Sequence, residues 1–416
     1  MSGFRLPIRQ VVNGPFTAWL AEERSVPVVS LSWAWKGGTG LDPEGGEGTA
    51  SLLAGLLTEG AGDLDATAFS DALRDSAIQL SFSADRDGFS GSFRCLTEAL
   101  PEAVRLAALA MSAPRFDADA VERVRARAAA AQRRSLETPR GLAGRAFWQA
   151  LFPGHPSARE AGGTPDSLAA ITVEGIRAAR ARQLRRGGLT IAAAGDISPD
   201  QLAPLLRDLF GALPEGEPPA LPPLPPPQRF GVRVISFAGP QSHMLFGQAG
   251  LPVRDPDWEA AQVMLRVLGG GGFSSRLMEE VRVRRGLTYG IGAGLSVLMG
   301  QGLITGSVAT ENARAGETLA VLRAEWARMA ESGPTEGEAA DALAYFAGSL
   351  PLQLSDTRSI AGTLLSMQQN GRPMDWLDRR EERLRAITRE RLAAVARRLL
   401  DAEGLSAVVV GQPVGL

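Results

Sequence analysis

The sequence is poor in the side chains that most often bind metals or form cross-links. Among 416 residues it has one cysteine, Cys95, and two histidines, His155 and His243. A single cysteine excludes an internal disulfide and any zinc cluster built from cysteines. The two histidines are 88 positions apart (243 − 155), so simple counting also argues against a His-rich metal site. We therefore expect no metal to be bound by this chain.

Excess charge of either sign and long apolar runs are also missing. The 44 basic and 46 acidic residues leave a net charge of −2, which argues against a nucleic-acid partner. No run reaches the roughly 18 apolar residues that a membrane span requires. The first ten residues lack the apolar core of a signal peptide. A soluble protein is expected, periplasmic if a signal peptide has been removed and otherwise cytoplasmic.

Proline, in contrast, is concentrated near the middle of the chain. Seven of the ten residues from Pro218 to Pro227 are proline. Such a run favours an extended, semi-rigid spacer, because proline lacks the amide proton that helices and sheet interiors need. We predict two domains, residues 1–216 and 229–416, joined by a linker at 217–228. A proline-rich ligand for a partner domain is the alternative.

The two halves follow the same order of patterns. In each, a strand-like run (Val26–Trp35 or Ser242–Leu251) leads to an Asp-Pro pair and then to an apolar helical run. Asp42 and Asp255 are 213 positions apart, and the offsets at the other matching landmarks lie between 213 and 216. Offsets this constant indicate a duplicated domain of about 210 residues.

Within each half, strand patterns of period two alternate with helical patterns, the longest of which runs from Asp117 to Arg134. Long helices combined with hairpin-like strand pairs favour an α+β fold. Each domain is predicted to be a mostly antiparallel sheet with helices packed on one face. A doubly wound parallel sheet is the alternative fold.

The most distinctive stretch runs from Gly269 to Tyr289, and we call it the signature segment. Four consecutive glycines predict a loop whose backbone can approach a ligand closely. Ser274 is a predicted N-cap for a helix at Ser275–Arg285, Gly286 is its expected end, and a strand is expected from Leu287. A phosphate-binding loop is not favoured, because no strand immediately precedes the glycines and no Gly-Lys-Ser/Thr follows them.

From Ser274 onward the sequence SSRLMEEVRVRRGLTYGIGAG resembles the C-terminal-domain signature of the pitrilysin and mitochondrial-processing-peptidase family of zinc metallopeptidases. The resemblance covers nearly the whole chain, including the duplicated domain, the Asp-Pro turn, the FPGHP at Phe152–Pro156 and the proline-rich linker. It implies that the two domains form half of a clam-shell chamber. In that family an Arg and a Tyr seven positions apart follow the SRL helix, and here they fall on Arg282 and Tyr289.

The catalytic motif of the family, His-x-x-Glu-His, is missing where the resemblance places it. Two His at i and i+4 share a helix face and bind zinc, and the Glu is the general base. The matching positions carry Ser51, Ala54 and Gly55, and the further glutamate ligand would fall within residues 128–131, which are all alanine. The N-terminal domain is therefore expected to contain a degenerate zinc site, and the chain is not expected to be active alone.

The resemblance implies a non-catalytic subunit of a heterodimeric zinc metalloendopeptidase. A homologous partner with His-x-x-Glu-His would bind the zinc, and this chain would bind unfolded peptide and supply Arg282 and Tyr289 in trans. Residues expected to contact substrate are Gly269, Gly270, Gly271, Gly272, Phe273 and Ser274. A structural, assembly or peptide-binding protein with no role in hydrolysis is the alternative. For the two residues themselves, the alternatives are a strand tyrosine that packs in the core at Tyr289 and a solvated helix arginine at Arg282.

Overall fold

The polypeptide forms two compact units, each with its own sheet and core. The computed structural model describes residues 5–416. Unit 1 contains the described residues up to Arg133, together with Arg159–Pro222 and Pro351–Asp378. Unit 2 contains Arg134–Ala158, Pro223–Leu350 and Arg379–Leu416. Each unit thus includes stretches from both sides of the proline-rich segment, in which residues 217–228 form neither helix nor strand.

Within residues 5–416, eleven strands form the two sheets. In chain order they are β1 (Ile8–Asn13), β2 (Phe16–Glu22), β3 (Val28–Lys36), β4 (Gln79–Ala84), β5 (Gly88–Leu96), β6 (Thr190–Gly195), β7 (Val232–Ser236), β8 (Gln241–Ala249), β9 (Ile291–Leu298), β10 (Gln301–Glu311) and β11 (Ser406–Gly411).

The two sheets have matching strand orders. Sheet 1, in unit 1, runs β1-β2-β6-β3-β5-β4, and sheet 2, in unit 2, runs β7-β11-β8-β10-β9. Each sheet is mixed, because β2 pairs with β6 and β7 pairs with β11 in parallel while the other pairs are antiparallel. The predicted α+β class is confirmed, and the doubly wound parallel alternative is wrong.

Helices follow the strands in both halves. In chain order they are α1 (Thr49–Leu56), α2 (Ala66–Asp75), α3 (Leu100–Ser112), α4 (Ala118–Leu136), α5 (Pro139–Leu151), α6 (Pro165–Ala170), α7 (Val173–Gln183), α8 (Pro199–Phe210), α9 (Trp258–Leu265), α10 (Ala315–Ser332), α11 (Glu336–Gln353), α12 (Thr357–Gln369), α13 (Arg380–Arg385) and α14 (Arg389–Leu399).

Sheet 1 is covered on both faces. Alternate residues of β3, such as Leu31 and Trp33, point into the main core of unit 1, against helices from the same half. Ser30 points the other way, and its hydroxyl lies 2.8 Å from the Thr357 hydroxyl of α12. The Gln368 side chain of the same helix donates to the Ile191 carbonyl at 2.9 Å.

Sheet 2 is covered in the same manner. Met244 and Phe246 face a core that includes Trp326 of α10. Val408 and Val410 face the opposite way and pack with Phe147 of α5. The expectation that helices pack on one face of each sheet is therefore wrong. Central strands of both sheets, such as β3 and β11, are buried on both sides, and a helix encoded far away in the chain removes the second face from water.

Candidate functional site

The first helix of unit 1 begins at a buried carboxyl group. Asp42 accepts hydrogen bonds from the amides of Gly48 and Ala50, both at 2.9 Å, and so satisfies two donors at the start of α1. Burial raises the pKa of Asp42 to about 7, although these two bonds act in the opposite direction. Asp42 thus fixes the start of α1, and with it the position of the residues on this helix.

The three degenerate positions on α1 are used for packing and for backbone contact. The Ser51 hydroxyl donates to the Ala161 carbonyl at 2.9 Å, and Ala54 is buried. A Cβ atom at Gly55 would lie 3.2 Å from Val124 Cγ1 and 4.0 Å from an Arg127 guanidinium nitrogen of α4. A hydroxyl, a methyl group and a bare backbone next to an arginine do not provide the imidazole and carboxylate donors that zinc requires.

Other parts of the described chain do not offer a substitute. Within residues 5–416, no group of three or more His, Cys, Asp and Glu side chains is arranged to hold a metal ion. His155 is buried, and its Nδ1 accepts the Ser157 amide at 3.1 Å, which indicates a structural role. Zinc chemistry therefore has no set of donors on the described part of this chain.

The signature segment is not the regular α-helix that the sequence suggests. Two stretches are π-helical, Arg266–Gly270 and Met278–Val283, and a 3-10 turn at Gly272–Ser274 lies between them. The predicted helix at Ser275–Arg285 is present in shortened form at residues 276–283, which begin with two α-helical residues and continue as the π-helix. The predicted N-cap is wrong, because the Ser274 hydroxyl donates back to the Gly271 carbonyl at 2.9 Å. Wide turns of this kind occur often at functional sites.

Glycine is required at two points of this segment for different reasons. A Cβ at Gly269 would lie 2.8 Å from the Ala293 amide nitrogen, so only glycine allows the chain to approach β9 this closely. Gly272 has φ +59° with open space around it, so its backbone conformation is what favours glycine there. Gly286, also at φ +59°, follows the π-helix as the predicted end signal.

Arg282 differs from the arginines that follow it. Arg284 and Arg285 form salt bridges with Glu280 at 3.0 and 2.6 Å. Arg282 has no carboxylate partner among residues 5–416, and its guanidinium carbon lies 4.5 Å from the centre of the exposed Phe273 ring. This cation–π contact keeps the guanidinium beside the glycine-rich turn. Sequence spacing did not predict the contact, since the two residues lie nine positions apart.

Tyr289 is presented to solvent. Its side chain is 87% exposed, and no hydrogen bond to it is found within residues 5–416. The alternative of a core tyrosine is therefore wrong. The strand begins at Ile291 and not at Leu287, so Tyr289 lies in the short connection that precedes β9. Its ring and hydroxyl contribute nothing visible to the packing of unit 2.

Arg276 is the buried arginine of the signature segment. Its guanidinium is buried and donates to both Glu338 carboxylate oxygens at 2.7 and 2.6 Å, and also to the Gly333 carbonyl at 3.0 Å. Burial alone would raise the pKa of Glu338, but the bonds from Arg276 and from the Thr335 amide bring it to about 2. This pair attaches the signature segment to the start of α11.

Comparisons with known proteins show which family and which solved structures the chain is similar to. Residues 170–345 match the family described as Peptidase M16 inactive domain. The crystal structure of a peptidase M16 inactive domain from Pseudomonas fluorescens superimposes with a TM-score of 0.91 at 27% identity, over 98% of each chain. A chain of complex III2 from Candida albicans has the same fold, with a TM-score of 0.79 at 15% identity over 98% of this chain and 96% of its own.

Curated relatives include both peptidase and non-peptidase names. The non-peptidase homolog YmxG of Helicobacter pylori is 27% identical over 357 residues, which are 85% of this chain and 82% of that protein. An uncharacterized zinc protease of Streptomyces coelicolor is 30% identical over 266 residues, 61% of this chain and 57% of its own length. No helix within residues 5–416 is long and apolar enough to cross a membrane.

Proposed function

Because this chain belongs to the M16 peptidase family, in its inactive-domain form, we propose that it is the non-catalytic subunit of a two-chain zinc metalloendopeptidase. A homologous partner with His-x-x-Glu-His would hold the zinc and the general base. This chain would bind an unfolded peptide and contribute Arg282 and Tyr289 to the reaction in trans. The other chemical groups of the site would belong to the partner.

One contrast within the chain supports this proposal. On α1 the zinc positions have become Ser51, Ala54 and Gly55, which serve packing and a backbone contact. In unit 2 the Arg and Tyr of the family motif are retained, and neither has a polar partner within residues 5–416. A scaffold has no use for an exposed tyrosine and an unpaired guanidinium seven positions apart.

The chemistry of the two side chains fits this role. A guanidinium provides a planar fork of donors, and a phenol provides one O–H donor. Both can donate to substrate carbonyl oxygens and to the oxyanion that develops during hydrolysis. Phe273, exposed beside Arg282, offers an apolar ring to the side chains of a bound peptide.

A structural or assembly function is the second candidate. The curated name of the Helicobacter pylori relative is non-peptidase homolog, and a chain of similar fold belongs to complex III2 of Candida albicans. Under this alternative the protein would have a partner but no part in hydrolysis. The two candidates differ in one consequence, which is whether substitution of Arg282 or Tyr289 changes the rate of peptide cleavage.

The test is peptidase activity on an unstructured peptide by a His-x-x-Glu-His homologue from the same genome, alone and mixed with this chain. We expect activity that depends on the mixture and falls by roughly 10²-fold or more in Arg282→Ala and in Tyr289→Phe, the scale of one oxyanion donor. Arg254→Ala and Tyr345→Phe are matched controls, since Arg254 is exposed and phenylalanine keeps the ring that Arg266 covers. Equal activity with and without this chain would refute the proposal.

A further inference from the structure

We propose that Thr288 and Thr310 are positioning residues that hold the backbone on both sides of Tyr289, so that its phenol is presented in one fixed place. The inference deepens the proposed function and depends on it for the role of the phenol. The tethering of the backbone around Tyr289 does not depend on a partner and can be measured on this chain by itself.

Thr288 ties the connection to the neighbouring strand. Its hydroxyl donates to the Ala309 carbonyl of β10 at 2.6 Å and accepts the Gly290 amide at 3.1 Å. The residues immediately before and after Tyr289 are thus joined through one side chain. Since the ladder of β9 begins only at Ile291, these bonds take the place of strand pairing at this point.

Thr310 acts on the other side of the same connection. Its buried hydroxyl donates to the Leu287 carbonyl at 2.7 Å. Ala309 and Thr310 are consecutive residues of β10, which pairs with β8 and with β9 and is therefore a central strand of sheet 2. This central strand thus offers one carbonyl to the Thr288 side chain and one hydroxyl to the Leu287 backbone.

The side chain held in this way is 87% exposed, so these bonds do not serve to bury it. Buried Leu287 already anchors the connection to the core of unit 2, and a fixed Tyr289 backbone is not needed for that anchor. Groups that act on a reaction gain most when they are held in place before substrate binds, and support from a rigid strand is the usual means. This arrangement is what a presented catalytic phenol requires.

A direct test needs neither the partner nor a substrate. The chain has two tyrosines, so protein labelled with 15N-tyrosine gives two amide signals, and Tyr345→Phe identifies the one from Tyr289. We expect an order parameter near the value for rigid backbone, about 0.85, in the wild type and a fall toward about 0.6 in Thr288→Val and Thr310→Val. Thr288→Ser keeps the hydroxyl and should restore rigidity. Thr305→Val, elsewhere on β10, is the matched control, and the Tyr345 amide should not change in any variant.

Peptidase activity of the mixture then tests the link to function. Thr288→Val should lower kcat by about 10-fold, since small misplacements are costly, and should leave KM nearly unchanged. In a Tyr289→Phe background the same substitution should have no further effect, because a residue that acts through the phenol has nothing left to position.

The outcomes separate the two proposals. An unchanged Tyr289 order parameter in Thr288→Val and Thr310→Val would overturn the positioning inference, whatever the activity. A further 10-fold loss of activity in the Tyr289→Phe background would also overturn it, because the threonine would then act independently of the phenol. If the partner's peptidase activity is the same with and without the wild-type chain, the proposed function is refuted. The conclusion from the Tyr289 order parameters is unaffected by that result.

Discussion

The ion pair between Arg276 and Glu338 is the interaction of the signature segment whose energetic contribution can be worked out most directly. Glu338 ionises at a pKa of about 2 in the fold, against an ordinary value of 4.5. At 1.36 kcal/mol per unit this difference corresponds to about 3 kcal/mol. Because the Glu338 side chain is 30% exposed, solvent reduces the contribution, and we expect about 2–3 kcal/mol at neutral pH.

Glu338→Gln removes the carboxylate charge and leaves Arg276 buried without a counter-charge, which is the costly way to break such a pair. A lowered pKa stabilises the fold above pH 4.5, and this stabilisation is lost as the pH falls toward 2. Wild type and variant should therefore differ by about 2–3 kcal/mol at pH 7 and by much less at pH 3.

The measurement is pulsed hydrogen exchange across a urea series, analysed by mass spectrometry for peptides of unit 2. Glu336→Gln is the matched control, because Glu336 lies in the same first turn of α11, is exposed and loses the same charge. We expect the control to change the free energy of unfolding by less than about 1 kcal/mol. The reasoning would be refuted if Glu338→Gln and Glu336→Gln lowered the free energy of unfolding equally. It would also be refuted if the decrease caused by Glu338→Gln were the same at pH 3 as at pH 7.

Two further predictions concern unit 1. Near pH 4, Asp42→Asn should lower the free energy of unfolding by about 2 kcal/mol, because the Asn side-chain nitrogen cannot accept one of the two backbone amide bonds. The difference should vanish and then reverse in sign as the pH rises to 7, since a shift of about 3 pKa units corresponds to about 4 kcal/mol. The reason is that the pKa of Asp42 is raised to about 7 by burial, so wild-type stability, measured by urea unfolding, falls across that range. Gly38→Ala should destabilise unit 1 by more than about 3 kcal/mol, because its Cβ would lie 2.1 Å from the Asp85 carbonyl oxygen. Gly14→Ala, at the same φ of +59° but in open space, should destabilise the fold by only about 1 kcal/mol. If thermal unfolding showed that Gly14→Ala and Gly38→Ala lower stability equally, the steric argument would be contradicted.

Much of the fold was predictable from short-range patterns. Runs such as Val26–Trp35 and Ser242–Leu251 alternate apolar and polar or small residues, and they form the central strands β3 and β8. The near-constant offset between the halves matches the common strand order of the two sheets. The assignment of residues 1–216 and 229–416 as homologous domains stays a prediction, since the compact units exchange stretches across the linker.

The candidate site was predictable only in part. Arg282, Tyr289 and the degenerate positions Ser51, Ala54 and Gly55 were found because a motif names the residue type at each place. The π-helical backbone was missed, since hydrogen bonds one residue longer than those of an α-helix leave no mark in composition. Thr288 and Thr310 were missed because their partners lie about 21 to 23 positions away, across a strand pairing.

What the sequence by itself determined is therefore the set of local elements and the loss of the zinc ligands. Periodicity, turn residues and side-chain donors are properties of neighbouring positions, and they do not depend on the rest of the fold. Tertiary structure alone decided which distant helix covers the second face of each sheet. It also decided that Arg276 is buried against Glu338, that Arg282 has no carboxylate partner in the described part of the chain, and that Tyr289 is exposed on a tethered backbone. These outcomes depend on contacts between residues far apart in the chain. Such contacts, and not the adjacent residues in the sequence, determine whether an arginine or a tyrosine is buried, paired or exposed to solvent.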